Sequence, residues 1–213
     1  ALPRLGEVGE DGPRTGPWLA LFGLLLGLGL GNHLTLLGIA GPLLLWLLAT
    51  LGWRVVLSPW LVGPLILGLG IYVYMPVRAA QDPPVNWGNA DTFEGFRWMV
   101  SGRVYQDYAF DAPGSEVPGR VVNWVHLVFS QFNPLGMFGA VVGIAVLRAR
   151  ETSFLGASLV SVAVISAYSI GYNTIDYKVL TIPTFMIFAV WIGVGFLTVF
   201  DNLATWLRSV GGS

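Results

Sequence analysis

Tyr72-Val73-Tyr74-Met75-Pro76-Val77-Arg78-Ala79-Ala80-Gln81-Asp82-Pro83-Pro84-Val85-Asn86-Trp87 is the stretch on which the fold turns, because a long apolar run ends inside it. Beyond Met75, cationic, carboxylate, amide and aromatic groups crowd together as they do where a helix leaves a membrane. Upstream, residues 55–74 carry no charge at all, and a helix needs ~20 apolar residues to cross ~30 Å of hydrocarbon. The whole chain follows suit. Hydrophobic residues make up 54% and charged residues 11%, against roughly 25% charged in soluble domains. Eleven basic and twelve acidic residues in 213 cannot cover a water-facing exterior, so lipid takes its place.

Working outward, apolar runs fall at 17–31, 34–50, 55–74, 121–147, 153–171 and 179–200, which predicts an all-α integral membrane protein of about six spans. Residues 17–50 as one helix would measure about 51 Å, too long for a single crossing. Gly27, Gly29 and Gly31 lead into Asn32 and His33, a pattern suited to a tight helical hairpin whose second arm kinks at Gly41 and Pro42. A kinked span followed by a re-entrant segment is the alternative. Residues 1–16 read as a flexible linker and 201–213 as a tail. The linker lacks the pattern of a secretory leader, and the initial Ala suggests the later part of a longer protein.

Basic residues favour the cytoplasmic side. With the linker inside, Arg4, Arg14, Arg54, Arg148, Arg150 and Arg208 lie there, and Arg78, Arg97, Arg103, Arg120 and Lys178 lie opposite. The long loop 75–117 is then extracytoplasmic, together with Asn32, His33 and the segment from Tyr172 to Lys178. Three polar elements thus share one membrane face, in a multi-pass protein of, by expectation, a bacterial plasma membrane. In the loop, Asp91-Thr92-Phe93-Glu94 predicts a helix start capped by Asp91 with Glu94 reaching back. Phe93, Phe96 and Val100 then give that helix an apolar face, lying either in the interface or on the protein's own spans.

Several function classes are disfavoured. Lys178 is the sole lysine and the net charge is -1, so no nucleic-acid partner is expected. With no cysteine, and two histidines on separate segments, no metal site or cofactor is expected either. Span interiors hold no Asp, Glu, Lys or Arg away from their ends, which weighs against a proton- or ion-coupled transporter. His126 reads as structural.

Arg78, at the end of a span, has the planar fork that holds a phosphate, and equally the form of a snorkelling anchor. Asp82, Asn86 and Trp87 follow it closely, and carboxylates, amides and aromatic faces are the groups that recognise sugars. Asn32 and His33 need partners near lipid. Tyr172, Asn173, Asp176 and Lys178 exceed what a turn requires.

Three segments carry a resemblance: Gly-Leu-Gly-Leu-Gly-Asn-His-Leu-Thr at 27–35, Tyr-Met-Pro-Val-Arg-Ala-Ala-Gln-Asp-Pro-Pro-Val-Asn-Trp-Gly at 74–88, and Tyr-Asn-Thr-Ile-Asp-Tyr-Lys-Val-Leu-Thr-Ile-Pro at 172–183. Together they resemble a family of multi-pass membrane proteins long catalogued as a domain of unknown function and related to the transmembrane protein O-mannosyltransferases. The resemblance implies a type C glycosyltransferase that moves a sugar from a polyprenyl-phosphate donor to an acceptor hydroxyl on the extracytoplasmic side. It carries over Asn32, His33, Arg78, Asn86, Trp87, Asn173 and Asp176 as motif positions, with Asp82 and Tyr172 beside them as candidate substrate contacts. The family's acidic catalytic motif has no match here, so the catalytic residue stays unassigned. A flippase of lipid-linked glycans and a non-catalytic assembly subunit are the competing expectations.

Overall fold

The computed structural model describes residues 15–211, and among these it is all-α, without a strand. Six helical stretches are long and apolar enough to cross a membrane: Thr15–Asn32, Leu34–Leu51, Trp53–Ala79, Val117–Arg150, Thr152–Gly171 and Tyr177–Gly211. The protein is a multi-pass membrane protein. Of the expected linker, residues 1–14 lie outside the described residues; of the expected tail, 201–211 continue the last helix.

Helix α1 (Thr15–Asn32) stops where His33 adopts an extended conformation, φ -154° and ψ 125°. A 3-10 turn, Leu34–Leu36, then leads into α2 (Leu37–Leu51), which remains helical through Gly41 and Pro42. The break makes two spans of residues 17–50 and no re-entrant segment, but the two arms do not form the tight hairpin expected. Helix α1 packs along the third span, whereas α2 packs along α9 (Thr152–Gly171). The reason lies in the small residues. On the third span, α3 (Trp53–Val56), α4 (Pro59–Leu69), a 3-10 turn and α5 (Tyr74–Ala79) follow one another. A Cβ on Gly27 would strike the Leu65 carbonyl, and one on Gly68 would stand 2.7 Å from the Leu24 carbonyl oxygen. Backbones that close can only meet at glycine, and lipid offers no hydrophobic drive to substitute for such packing.

Helices α6 (Phe93–Val100) and α7 (Arg103–Gln106) lie in the long loop. The cap of α6 is Thr92, whose Oγ1 accepts from the Gly95 amide at 3.0 Å; the helix therefore starts one residue later than an Asp91 cap required. Its Phe96, Met99 and Val100 are half-buried on the protein while Phe93 stays 82% exposed. Chain direction then reverses through α8 (Val117–Arg150), α9 and α10 (Ile182–Gly211). Helices α8 and α10 run parallel and approach through Gly143, against the Trp191 carbonyl, and Gly195, against the Gly139 carbonyl. Trp191, 2% exposed, donates its indole N–H to Ser158 Oγ of α9 at 3.1 Å. That bond satisfies a buried donor and fixes the α9–α10 register.

Alternation of the spans brings the α1–α2 connection, residues 80–116 and the α9–α10 connection to one end of the molecule. One residue fastens two of them. Arg120, 7% exposed, donates from Nη1 to the Tyr172 carbonyl at 2.6 Å and to the Ile170 carbonyl at 3.3 Å. Its other nitrogens hold Glu116 Oε2 at 2.9 and 3.2 Å, and its guanidinium lies 4.4 Å from the Tyr177 ring centre. The carbonyls at the end of α9 are the negative pole of that helix, so a cation there is doubly favoured.

Candidate functional site

Because α1 leans on the third span and α2 on α9, a gap opens between the two sets at the loop end, and residues 99–110 roof it. The result is a cavity of about 790 Å³. Its mouth is polar, with Asn32, His33, Tyr105, Gln106, Tyr172 and Asp176 in its wall. Its depth is apolar, lined by Leu30, Leu37, Gly38, Val164 and Ile165. Ile165 is six residues from the end of α9, so the cavity reaches about 9 Å down from that end at ~1.5 Å per residue.

Local structure fixes each polar group. His33 Nδ1 accepts from the Thr35 amide at 3.3 Å and lies 2.9 Å from Thr35 Oγ1, which holds the ring; Nε2 has no hydrogen-bond partner among the described residues. Tyr172 is 7% exposed and donates to the Tyr105 carbonyl at 3.3 Å. Burial pushes its phenol up to about 12, and the neighbouring Tyr168, Tyr105, Tyr108 and Asp176 add to the effect. Tyr168 and Tyr108 flank it with ring centres at 5.2 and 6.0 Å, and Phe110 stands edge-on to Tyr168 at 5.9 Å, giving one wall an aromatic surface. The roof is tied to this wall through the Ala112 amide on the Gly171 carbonyl at 3.0 Å and the Asn173 amide on the Tyr108 carbonyl at 2.9 Å.

Of the residues singled out in the sequence, Asn32, His33, Tyr172 and Asp176 meet in this cavity although about 140 positions separate the two pairs. Asn173 stands behind the wall, donating to Asp111 Oδ2 at 3.0 Å. Arg78, Asp82, Asn86 and Trp87 are not in the lining. Arg78 is exposed and donates to Gln81 at 3.0 Å; Asp82 is exposed, Asn86 is half-buried and Trp87 is 69% exposed. Of the middle motif Met75 reaches the lining, while its polar groups and Trp87 stand apart from the other two motifs.

Sequence reasoning missed Tyr105 and Gln106, and with them the role of Arg103. Arg103 donates to Gln106 Oε1 at 3.1 Å, which ties a cation to the cavity rim by a hydrogen bond to a wall residue. Only the three-residue spacing of Arg103 and Gln106 hinted at this, and it is common in exposed helices. Asp176 is the one carboxylate among the lining residues, and His33 the one imidazole.

Fold and site define a six-span all-α membrane protein with a cavity polar at the membrane surface and apolar beneath. Compared with family models, curated proteins and solved structures, the chain matches none.

Proposed function

We propose that the chain is a membrane glycosyltransferase that takes a sugar from a polyprenyl-phosphate donor, with the cavity as its donor site. One observation carries this reading: a single cavity joins sugar-type groups at the mouth, namely Asn32, His33, Gln106 and Asp176 beside an aromatic wall, to an apolar floor. An amphiphile with a sugar head and an isoprenoid tail fits both halves at once. In the reaction, the acceptor oxygen attacks the anomeric carbon and the bond from that carbon to phosphate oxygen breaks. Polyprenyl phosphate leaves with the electron pair, and the acceptor proton passes to a carboxylate, for which Asp176 is the group in place. Arg103 at the rim is the cation for the departing phosphate.

The site is assigned to the extracytoplasmic face of a bacterial plasma membrane. Support comes from charge: among the described residues the opposite end carries Arg54, Arg148, Arg150 and Arg208 against Glu151 and Asp201. Basic residues at those span ends favour retention on the cytoplasmic side; the five cations of the cavity end sit among seven acids.

The test is turnover of a labelled polyprenyl-phosphate sugar by the protein in lipid vesicles, with membrane extract as acceptor. Free polyprenyl phosphate and a labelled acceptor are expected, and Asp176→Asn is expected to cut the rate by about 100-fold or more. Arg78→Ala is expected to change it less than about threefold. A donor that is bound but returned intact would overturn the assignment to transfer, and an Asp176→Asn variant with parental turnover would remove that residue from the mechanism.

A further inference from the structure

The first half of α8 differs from the other outward surfaces. Asn123, His126, Ser130 and Asn133 recur at intervals of three, four and three residues, so they form one stripe, and all four are exposed. The neighbouring sector of the same half-helix carries Val122, Val125 and Phe129, exposed by 67%, 42% and 54%, as a lipid-facing surface does. Asn123 lies at the level of the loop end, where its amide donates to the Tyr177 hydroxyl at 3.3 Å. Asn133, ten residues on, sits about 15 Å deeper, near the middle of ~30 Å of hydrocarbon.

The backbone also breaks at that depth. Asn133 has φ 51° and ψ 176°, and its Oδ1 accepts from the Leu135 and Gly136 amides at 3.0 and 3.2 Å. Pro134 has no N–H to give the Ser130 carbonyl. The Asn133 side-chain NH2 and the His126 ring have no hydrogen-bond partner among the described residues. Irregular backbone and unpaired polar groups are not left against acyl chains; in membrane proteins they face protein or water.

We propose that this stripe is the seam of a dimer, in which α8 meets α8 of a second copy about an axis along the membrane normal. The side chains themselves select the occupant. Asn123 and His126 can both donate and accept; Ser130, whose hydroxyl donates to the Leu127 carbonyl at 3.0 Å, can still accept, and Asn133 can still donate from its NH2. None of the four is a carboxylate, ammonium or guanidinium, so the stripe carries no charge to repel its own copy, and Asn123 and His126 can each pair with their counterpart across a twofold axis. Two copies inserted with the same orientation are related by such an axis, which sets Ser130 against Ser130 and His126 against His126. The inference is independent of the transferase reading, since it uses no residue of the cavity.

With no cysteine in the chain, Ser130→Cys introduces a single thiol. Oxidation in native membranes is expected to give a disulfide-linked dimer of that variant, while Val125→Cys and Leu45→Cys, on faces turned elsewhere, stay monomeric. Subunit photobleaching across a range of protein-to-lipid ratios is expected to show dimers, weakened about 3- to 10-fold by His126→Leu. His126 keeps ordinary helical geometry, so its replacement does not disturb the break at Asn133. A Ser130→Cys protein that stays monomeric, or that links only to a protein of different mass, overturns the proposal. So does a His126→Leu variant that associates as the parent does.

Discussion

Arg120 shows what a single side chain does at a junction of segments. Replacing it with Ala strips two carbonyls at the end of α9 of their donor and leaves Glu116 unpaired, so Arg120→Ala is expected to cost about 1–3 kcal/mol. Thermal or denaturant unfolding in detergent would measure it; Lys in its place should recover only part, because a point charge cannot serve the carbonyls and Glu116 together. Tyr172 offers a second test. Its phenol is raised from 10.0 to about 12, so the folded state favours the protonated form. That preference is fully present below pH 10 and is lost as pH rises toward 12. Absorbance titration at high pH should show one tyrosine ionising last, and Tyr172→Phe should remove that phase. At this scale the sequence was only partly legible. Asn32, His33 and Asp176 stood out because polar groups interrupt apolar runs, and they do line one cavity. Arg120 did not stand out, since an arginine at the start of an apolar run looks like any snorkelling anchor until the neighbouring carbonyls are in place. Arg78 drew notice for its motif, yet its aim toward Gln81 is a matter of rotamer and helix phase that composition does not encode.

At the scale of elements, span number followed from apolar length and polar interruptions, which is why six could be read directly. Pairing could not. Many glycines occupy the spans, and only packing distinguishes Gly27, Gly68, Gly143 and Gly195, whose Cβ positions collide with a neighbouring backbone, from Gly41 and Gly63, which face nothing within 4 Å. The contrast yields an expected outcome: Gly143→Leu forces α8 from α10 and should sharply lower the yield of folded protein, whereas Gly63→Leu should be tolerated. Fluorescence-detected size exclusion of the two variants decides. The start of α6 was misplaced by one residue because Asp91 and Thr92 both suit a cap, and the choice went to the hydroxyl that meets the Gly95 amide.

For the whole molecule, the orientation proposed above places the cavity end outside. Trp87→Cys, at the cavity end and 69% exposed, should react with a membrane-impermeant thiol reagent applied outside intact cells, while Trp206→Cys, 58% exposed at the other end, should react only after the membrane is opened. The reverse pattern would move the cavity to the cytoplasmic leaflet. Gly38→Trp offers a separate check on the cavity, since even a Cβ there comes within 2.7 Å of Ile165. A bulky side chain at that point should obstruct ligands with long tails more than short-chain analogues, read as a chain-length-dependent loss of binding.

The parting of α1 from α2 also bears on how the protein is made. The neighbour that α1 requires is the third span, so Gly23 and Gly27 have nothing to grip until residues 59–69 have been synthesised and delivered to the bilayer. During that interval α1 lacks the span it packs on in the finished fold, while α2 passes by on its way to α9.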